Sequence, residues 1–339
     1  MYLISLIIPI YNAEKFLDRT INSVMKQSIG FENIELILVD DNSKDKTKEI
    51  IEKYATKYDN IVPFYSKTNH GFPGFGRNIG LKKATAEFIM FMDNDDELDE
   101  NICKNLYNAI TNENADVVCC DKVNVDNISE IKYNINYFNG IKKNNSIIIE
   151  NDDILKFGSI SVWNKIYRKD IIKNNEITFL ENTTADDFVF TISYFLKSKK
   201  LVYLKNYYGY YWNIKSDSLS HVVTKELMCD FLNINQIILN ILKTEQKVEF
   251  AKYIFKENIP HLIIQSSYLE VNKNEYENIL RKIHDFEIEI NFTFKLNSLW
   301  LNIINYLILH QNYSLARLLL RTINHIRKSN TLKKINRKI

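Results

Sequence analysis

The chain has 339 residues, 45% of them hydrophobic and 25% charged, enough to bury a core in one large domain with additions or in two domains. Lys and Arg number 44 against 42 Asp and Glu, and a net charge of +2 gives no general attraction to nucleic acid. The four cysteines, Cys103, Cys119, Cys120 and Cys229, form no CxxC pair and have no histidine at metal-ligand spacing, so they read as reduced thiols of a cytoplasmic protein.

The first residues, MYLISLIIPIYN, lack the basic region and the apolar length of a signal peptide and read as a strand. No apolar stretch approaches the roughly 20 residues of a membrane-spanning helix. From there LISLIIP is a strand, AEKFLDRTINSVMKQS a helix, IELILVDD a strand and KDKTKEIIEKYATKY a helix. NIVPFYS, EFIMFMD and ADVVCCD are further strands, with GRNIGLKKAT and LDENICKNLYNAITNE as the helices between them. Strands apolar on both faces belong to a parallel sheet covered by helices, so the expected class is α/β, a doubly wound, mostly parallel, Rossmann-like sheet. Such sheets bind ligands at the carboxyl ends of their strands. Three strands end in chemically active residues there: Pro9 to Asn12, Asp40 to Ser43 and Asp93 to Asp96.

Residues 121–150 are rich in Asn, Lys and Ile with little pattern and read as an excursion of strands and loops. Patterned sequence resumes in GSISVWNKIYRKDIIKNN, FLENTTADDFVFTISYFLKSKKLVYL and NYYGYYWNIKSDSLSH. Beyond it, apolar residues recur at helical spacing with one proline, Pro260, and no glycine, giving a helical C-terminal region over 223–339. Its end, RKSNTLKKINRKI, carries six Lys and Arg and no acid.

In FIMFMDNDDELDEN, residues 88–101, an apolar run passes directly into Asp93, Asp95, Asp96, Glu97 and Asp99. Crowded carboxylates repel one another, and burial raises their pKa values unless a cation compensates. Mg2+ or Mn2+ suits them, because such ions bind through one or two carboxylates and leave other positions to water and a nucleotide's phosphates. In Asp93-Asn94-Asp95 the alternation of a strand end turns both carboxylates to one side. The plainer reading, acids at a helix amino terminus, applies to Glu97 and Asp99, while Asp96 stays open between the two.

NHGFPGFGRNIG, residues 69–80, holds four of the eight glycines and one of the four prolines. That concentration suggests backbone that turns tightly and approaches a ligand, with Arg77 and the opening amides of the next helix facing a diphosphate. It does not fit the GxxxxGK[ST] loop, and it follows the third strand instead of the first. At the first strand end Tyr11 either stacks on a base or packs; at the second, Asp40 or Asp41 accepts from a base N–H or caps the next helix.

In order and spacing, ISLIIPIYNAEKFLDRTINSVMKQS, ELILVDDNSKDKT, NHGFPGFGRNIGLKKATAEFIMFMDNDD and ADDFVF resemble the family 2 glycosyltransferases, which have a GT-A fold, over about residues 3–220. The resemblance implies a GT-A domain over 1–222, with a nucleotide-sugar half at 1–120 and an acceptor half at 121–222, ahead of the helical region 223–339. It further implies that Pro9, Tyr11, Asp40 and Asp41 line the base, and that Arg77 and Asn78 lie near the donor. Asp93-Asn94-Asp95 matches the family's DxD motif, with Asp93 at the ribose and metal and Asp95 as direct metal ligand.

Moving a sugar from a nucleoside diphosphate to a hydroxyl requires neutralising the leaving diphosphate and removing the acceptor's proton. The family takes the proton with a carboxylate in an acidic pair before a helix, usually Glu-Asp, which here matches Asp186-Asp187 in ADDFVF and makes Asp187 the expected base. The competing reading is a helix cap, since TTADD is good capping sequence. Trp163, Asn164 and Lys165 are expected to shape the acceptor side. Tyr210, Tyr211 and Trp212 are read as sugar-facing or core aromatics. Ser218, Ser220 and His221 belong to a loop closing over the diphosphate, with His221 as a metal or phosphate contact. A single displacement of this kind inverts the anomeric carbon.

The implied partners are a nucleotide-sugar donor, with UDP as default, and a glycan or lipid-linked acceptor in surface polysaccharide or glycoconjugate synthesis. A sugar nucleotidyltransferase would need a glycine-rich basic loop after the first strand, where this chain has IYNAEKF. A non-catalytic GT-A-like binding protein would have little reason to keep both Asp95 and Asp187. The helical region has two readings, packing or a homo-oligomer contact, and attachment of its basic end to the inner face of the cell membrane as a peripheral protein.

Overall fold

The computed structural model describes residues 1–126, 129–135, 140–143, 146–214, 224–256, 258–292 and 299–336, the last twelve of these as backbone alone. The chain forms two compact units, Met1–Ser218 and Leu219–Ile339.

In the first unit, β1 (Ile4–Ile10) and β2 (Ile34–Asp40) are buried at every position. Helices cover both their faces, which is why these strands read as continuous apolar runs. With β3 (Ile61–Tyr65) and β4 (Phe88–Phe91) they form a parallel block in the order β3-β2-β1-β4. The helices between the strands are α1 (Leu17–Met25), α2 (Thr47–Ala55) and α3 (Pro73–Lys83).

Past β4 the sheet becomes mixed. The short β5 (Glu97–Leu98) and α4 (Ile102–Asn112) precede β6 (Val117–Val125). Then come β7 (Glu130–Tyr133), β8 (Ile141–Lys143), β9 (Ser146–Glu150), β10 (Lys165–Arg168), α5 (Lys169–Asn174), α6 (Asp186–Lys197) and β11 (Lys200–Asn213). β10 runs antiparallel between β4 and β6, β11 is parallel to β6, and β9 and β8 extend the far edge. The excursion at 121–150 thus supplies three antiparallel strands and the end of β6, and β7 pairs with β6.

Two expectations change here. Glu97, expected at the start of a helix, lies in β5, which pairs with β11, and its carboxylate meets Arg19 at 3.1 Å. The glycines at 74, 76 and 80 do not form a ligand-approaching loop; they sit inside α3 and let it close onto its neighbours. A Cβ on Gly80 would stand 2.2 Å from Ile7 Cγ2, one on Gly76 2.9 Å from Pro9 Cβ, and one on Gly74 2.0 Å from the Leu180 carbonyl oxygen. Gly71, with φ +85°, is the glycine that turns the chain.

The second unit is helical: α7 (Lys225–Thr244), α8 (Ala251–Ile254), α9 (Asn258–Ser266), α10 (Lys273–Glu289), α11 (Leu299–Leu309) and α12 (Tyr313–Asn336). Thr224 caps α7 by accepting from the Leu227 N–H at 3.2 Å, and Asn272 with Glu275 forms a capping box on α10. Pro260 lies in the first turn of α9, where a missing N–H costs nothing. Ile238, Ile263, Tyr276, Ile283 and Ile304 are among its buried core. No helix among the described residues is long and apolar enough to cross a membrane. The basic side chains from Arg327 onward lie outside the described residues.

Candidate active site

The ends of β1 and β2 are bound to each other by side chains. Asn12 and Asn42 take left-handed φ values of 48° and 63°, a conformation asparagine tolerates. The Asn12 N–H donates to Ser43 Oγ at 2.9 Å, the Lys44 N–H to Asn12 Oδ1 at 2.8 Å and the Ala13 N–H to Thr47 Oγ1 at 2.7 Å. Tyr11 is 46% exposed, so its ring is not a packing element. Pro9 lies beneath Gly76 of α3.

Asp40 and Asp41 are both buried, and both are engaged by the protein. The Ser43 hydroxyl donates to Asp40, and burial pushes the Asp40 carboxyl up against the pull of those hydrogen bonds. Asp41 accepts at Oδ2 from the His70 N–H at 2.8 Å and the Asn69 amide at 3.2 Å, and its Oδ1 meets His70 Nδ1 at 2.7 Å. The His70 ring in turn stacks on Phe75, with centroids 3.5 Å apart. Asp41 therefore fastens the loop at 69–71 to the end of β2, while Asp40 holds the turn at Ser43.

At the end of β4, residues 93–96 are fixed from several elements. Thr20 Oγ1 on α1 donates to the carbonyls of Asn94 at 3.0 Å and Asp96 at 2.9 Å, and Arg19 Nη2 donates to the Asp95 carbonyl at 3.0 Å. Asp96 resolves as structural: fully buried, it accepts from the Tyr210 hydroxyl at 2.6 Å and the Asn213 N–H at 2.8 Å. Burial, with Asp93 and Asp95 nearby, holds its carboxyl well above the usual range. Tyr210 is thus core, and its oxygen also accepts from the Asp93 N–H at 3.2 Å.

The centre of the site is Arg77. From the buried face of α3 its guanidinium forks, Nη2 to Asp93 Oδ1 at 2.9 Å and Nη1 to Asp186 Oδ2 at 2.7 Å. Burial opposes its charge, but the carboxylates of Asp186, Asp93 and Asp187 raise it above its ordinary value. The residue expected to face a diphosphate instead joins the end of β4 to the start of α6. Asn78, expected near the donor, is likewise consumed by the fold: it donates to the Phe179 carbonyl and Glu181 Oε1, both at 2.9 Å, and accepts from the Phe179 N–H at 2.8 Å. It holds the strand-like approach to Asp186 against α3.

Neither Asp186 nor Asp187 is the cap residue; that is Ala185, which makes no side-chain cap. Asp186 is 1% exposed, and its Oδ1 has no hydrogen-bond partner among the described residues. Burial pushes the Asp186 carboxyl up, with Arg77 opposing. Asp187 is half-buried, and burial plus the adjacent Asp186 charge push its carboxyl up to about 7. That places it in the range suited to a general base.

On the same side, Lys165 is fully buried and pushed down to about 8 by burial. Its ammonium donates to Ser159 Oγ at 2.6 Å, the Ser161 carbonyl at 2.5 Å and Asn164 Oδ1 at 3.0 Å. Asn164 latches onto the Cys120 carbonyl at 2.6 Å, and Trp163 stacks between Tyr210 and Trp212 at 4.5 and 6.4 Å. Ser218, Ser220 and His221 lie outside the described residues.

Among the described residues no three acidic, histidine or cysteine side chains gather as a metal site. The pair Asp93 and Asp95 nevertheless supplies hard carboxylate oxygens at one strand end, half-buried and accessible. That donor set fits Mg2+ or Mn2+ completing its coordination with phosphate oxygens and water. Sequence reasoning missed Arg19, Thr20, Phe179, Glu181 and Asn213; their contacts span distant segments, and no local pattern marks them.

The family model described as Glycosyl transferase family 2 matches residues 5–175, and the chain belongs to that family. It is 30% identical over 301 residues to the poly(ribitol-phosphate) beta-N-acetylglucosaminyltransferase TarP of Staphylococcus aureus, covering 85% of this chain and 88% of that protein. It is 29% identical over 255 residues to a poly(ribitol-phosphate) beta-glucosyltransferase of Bacillus spizizenii, covering 74% of this chain but 38% of that protein. Against TarS of S. aureus, 32% identical over 213 residues, it covers 61% of this chain and 35% of the relative. The chain therefore spans little more than a third of these two longer relatives. The crystal structure of S. aureus TarS 1-349 in complex with UDP-GlcNAc has the same fold, at 24% identity and a TM-score of 0.71 over 95% of this chain and 92% of that one.

Proposed function

We propose that this protein is a metal-dependent, inverting glycosyltransferase. It moves a sugar from a nucleoside-diphosphate sugar, with UDP as carrier, to a hydroxyl of a glycan or lipid-linked acceptor in surface polymer synthesis. One observation carries the reading: Arg77 bridges Asp93 and Asp186, which joins the donor-side acids to the acidic pair at α6 in one site. The relatives named above, which act on poly(ribitol-phosphate), support a surface-polymer acceptor.

Asp93 and Asp95 would hold Mn2+ or Mg2+, whose chemistry when bound is to neutralise charge on the leaving diphosphate. Tyr11, exposed beyond β1, would stack on a base, with Asp41, whose N–H donates to the Ile10 carbonyl, at the neighbouring strand end. Asp187 takes the proton of the acceptor hydroxyl as that oxygen bonds to the anomeric carbon. The bond from that carbon to the diphosphate oxygen breaks on the opposite face, so configuration inverts. Burial, together with the Asp186 and Asp93 charges that Arg77 partly offsets, keeps the Asp187 carboxyl high enough to accept a proton near neutrality. A nucleotidyltransferase reading is disfavoured because the loop after β1 is tied to the β2 loop by Asn12, Ser43 and Thr47 and has no glycine.

The test is a thermal-shift and hydrolysis screen of nucleotide sugars with Mn2+ or Mg2+, on the parent and on Asp95→Ala. The parent should be stabilised by a UDP-sugar only with the metal present, and Asp95→Ala should lose that dependence. A parent that no nucleotide sugar stabilises would end the donor-site reading.

A further inference from the structure

A cavity of about 270 Å³ is lined by Lys122, Tyr133, Ser159, Ser161, Trp163 and Asn164 among others. Lys122 projects from β6 between its register partners Tyr133 on β7 and Tyr210 on β11. Its ammonium sits over three rings, 4.2 Å from the Trp212 centroid, 4.9 Å from Trp163 and 5.8 Å from Tyr133. Among the described residues it has no hydrogen-bond or ion-pair partner, and no acid lines the cavity. The acid that acts electrostatically on it is Asp96, whose oxygens accept from Tyr210 and Asn213. Burial accordingly pushes the Lys122 amine down to about 8.

A half-buried ammonium with aromatic walls and no hydrogen-bond acceptor or ion-pair partner among the described residues leaves a place for an anion. The surroundings are built to receive one. Ser159, Ser161 and Asn164 form one wall, and these are the groups that hold the ammonium of Lys165, so a second positive charge stands behind that wall. The opposite wall is anchored where the Ile135 N–H donates to Asp121 at 2.8 Å. Lys165 interacts electrostatically with both Asp187 and Lys122, which links the cavity to the proposed base.

We infer that this cavity is a subsite for a phosphate oxyanion of the acceptor, in which Lys122 pairs with a phosphodiester of a polyol-phosphate polymer while a neighbouring hydroxyl faces Asp187. The inference rests on the glycosyl-transfer reading and adds to it the acceptor's charge. Relatives named for poly(ribitol-phosphate) supply the polymer chemistry; the unpaired ammonium supplies the reason for an anion here.

The test measures binding, so it does not depend on turnover. The full chain is titrated calorimetrically with a short oligomer of ribitol phosphodiesters, with neutral ribitol and with uridine diphosphate, for the parent, Lys122→Met and Lys122→Arg. The parent should bind the oligomer at least about tenfold more tightly than ribitol. Lys122→Met, which keeps the stem on the rings, should lose about tenfold in oligomer affinity, and Lys122→Arg should restore most of it. Equal binding of oligomer and ribitol by the parent overturns the inference even if the Met variant fails to fold. Equal oligomer binding by parent and Lys122→Met overturns it as well. A matching loss of uridine diphosphate affinity in Lys122→Met would assign the cation to the donor's diphosphate and overturn the acceptor subsite. Failure of the donor reading itself would show separately, as no nucleotide-sugar response in the parent.

Discussion

Two acidic regions sit at strand ends of the same sheet, and they are finished to different degrees. At the end of β2, Asp40 and Asp41 have local donors: Ser43 for one, and Asn69, His70 and Gly71 for the other. At the end of β4 and the start of α6, Asp93 and Asp186 share one guanidinium, with the Asp187 charge acting on it as well, and Asp186 Oδ1 has no partner among the described residues. The first arrangement is complete once the chain has folded. The second is short of positive charge and donors, which is the condition of a site that a ligand completes. An acid-rich sequence therefore does not by itself mark a reactive site; the balance of donors around each acid does.

The contrast breaks most severely at Arg77. Arg77→Met leaves two buried carboxylates without their cation, and the expected loss is about 3–5 kcal/mol of unfolding free energy at neutral pH, read by urea denaturation. Removing the cation raises the folded-state pKa of both acids, so the deficit should shrink as pH falls toward their protonated range. A deficit independent of pH would mean that packing on Phe179, and not charge, is what Arg77 supplies.

The next effect is functional. Asp187→Asn should bind donor and lower transfer by about 10²-fold or more. In the parent, Asp187 must be ionised to act, so the rate should rise with pH through about 7 and level off above it. Stability runs the other way. A carboxyl whose folded pKa is raised favours the fold fully below its unfolded pKa and loses that contribution as pH rises through about 7. Asp187→Asn should therefore melt above the parent in alkaline buffer, with the gap closing in acid. Retained transfer in this variant would remove Asp187 as base.

The smallest effect belongs to the finished region. Asp40→Asn keeps an oxygen for the Ser43 hydroxyl and removes a buried charge, so stability should stay within about 1 kcal/mol of the parent. A loss as large as that of Arg77→Met would erase the distinction between the two regions.

Much of this was legible in the sequence. The parallel block announced itself because strands buried on both faces leave uninterrupted apolar runs, as in ISLIIPI and IELILVD. Asp93, Asp186 and Asp187 were found as motif positions. What the sequence hid was who neutralises them, since Arg77 is 109 residues from Asp186 and nothing local announces that pairing. The glycines of α3 misled for a related reason: a glycine cleared for a neighbouring strand looks in sequence like one cleared for a ligand. Residues 121–150 read as strands and loops without bounds, and β7, β8 and β9 could not be placed within them because Asn, Lys and Ile recur there without a period.

The hold that β11 exerts on the acidic loop also sets an order of events. Asp96 is gripped by Tyr210 and Asn213, and the latter is 117 residues further along the chain. During synthesis, at roughly 5–20 residues per second, the parallel block can emerge and begin to fold on the order of ten seconds before those donors leave the ribosome. Until they arrive, Asp96 lacks the Tyr210 and Asn213 donors that hold it in the folded protein. A nascent chain therefore possesses every strand of the parallel block before it possesses a complete acidic loop, whose last donors are delivered by the last strand of the sheet.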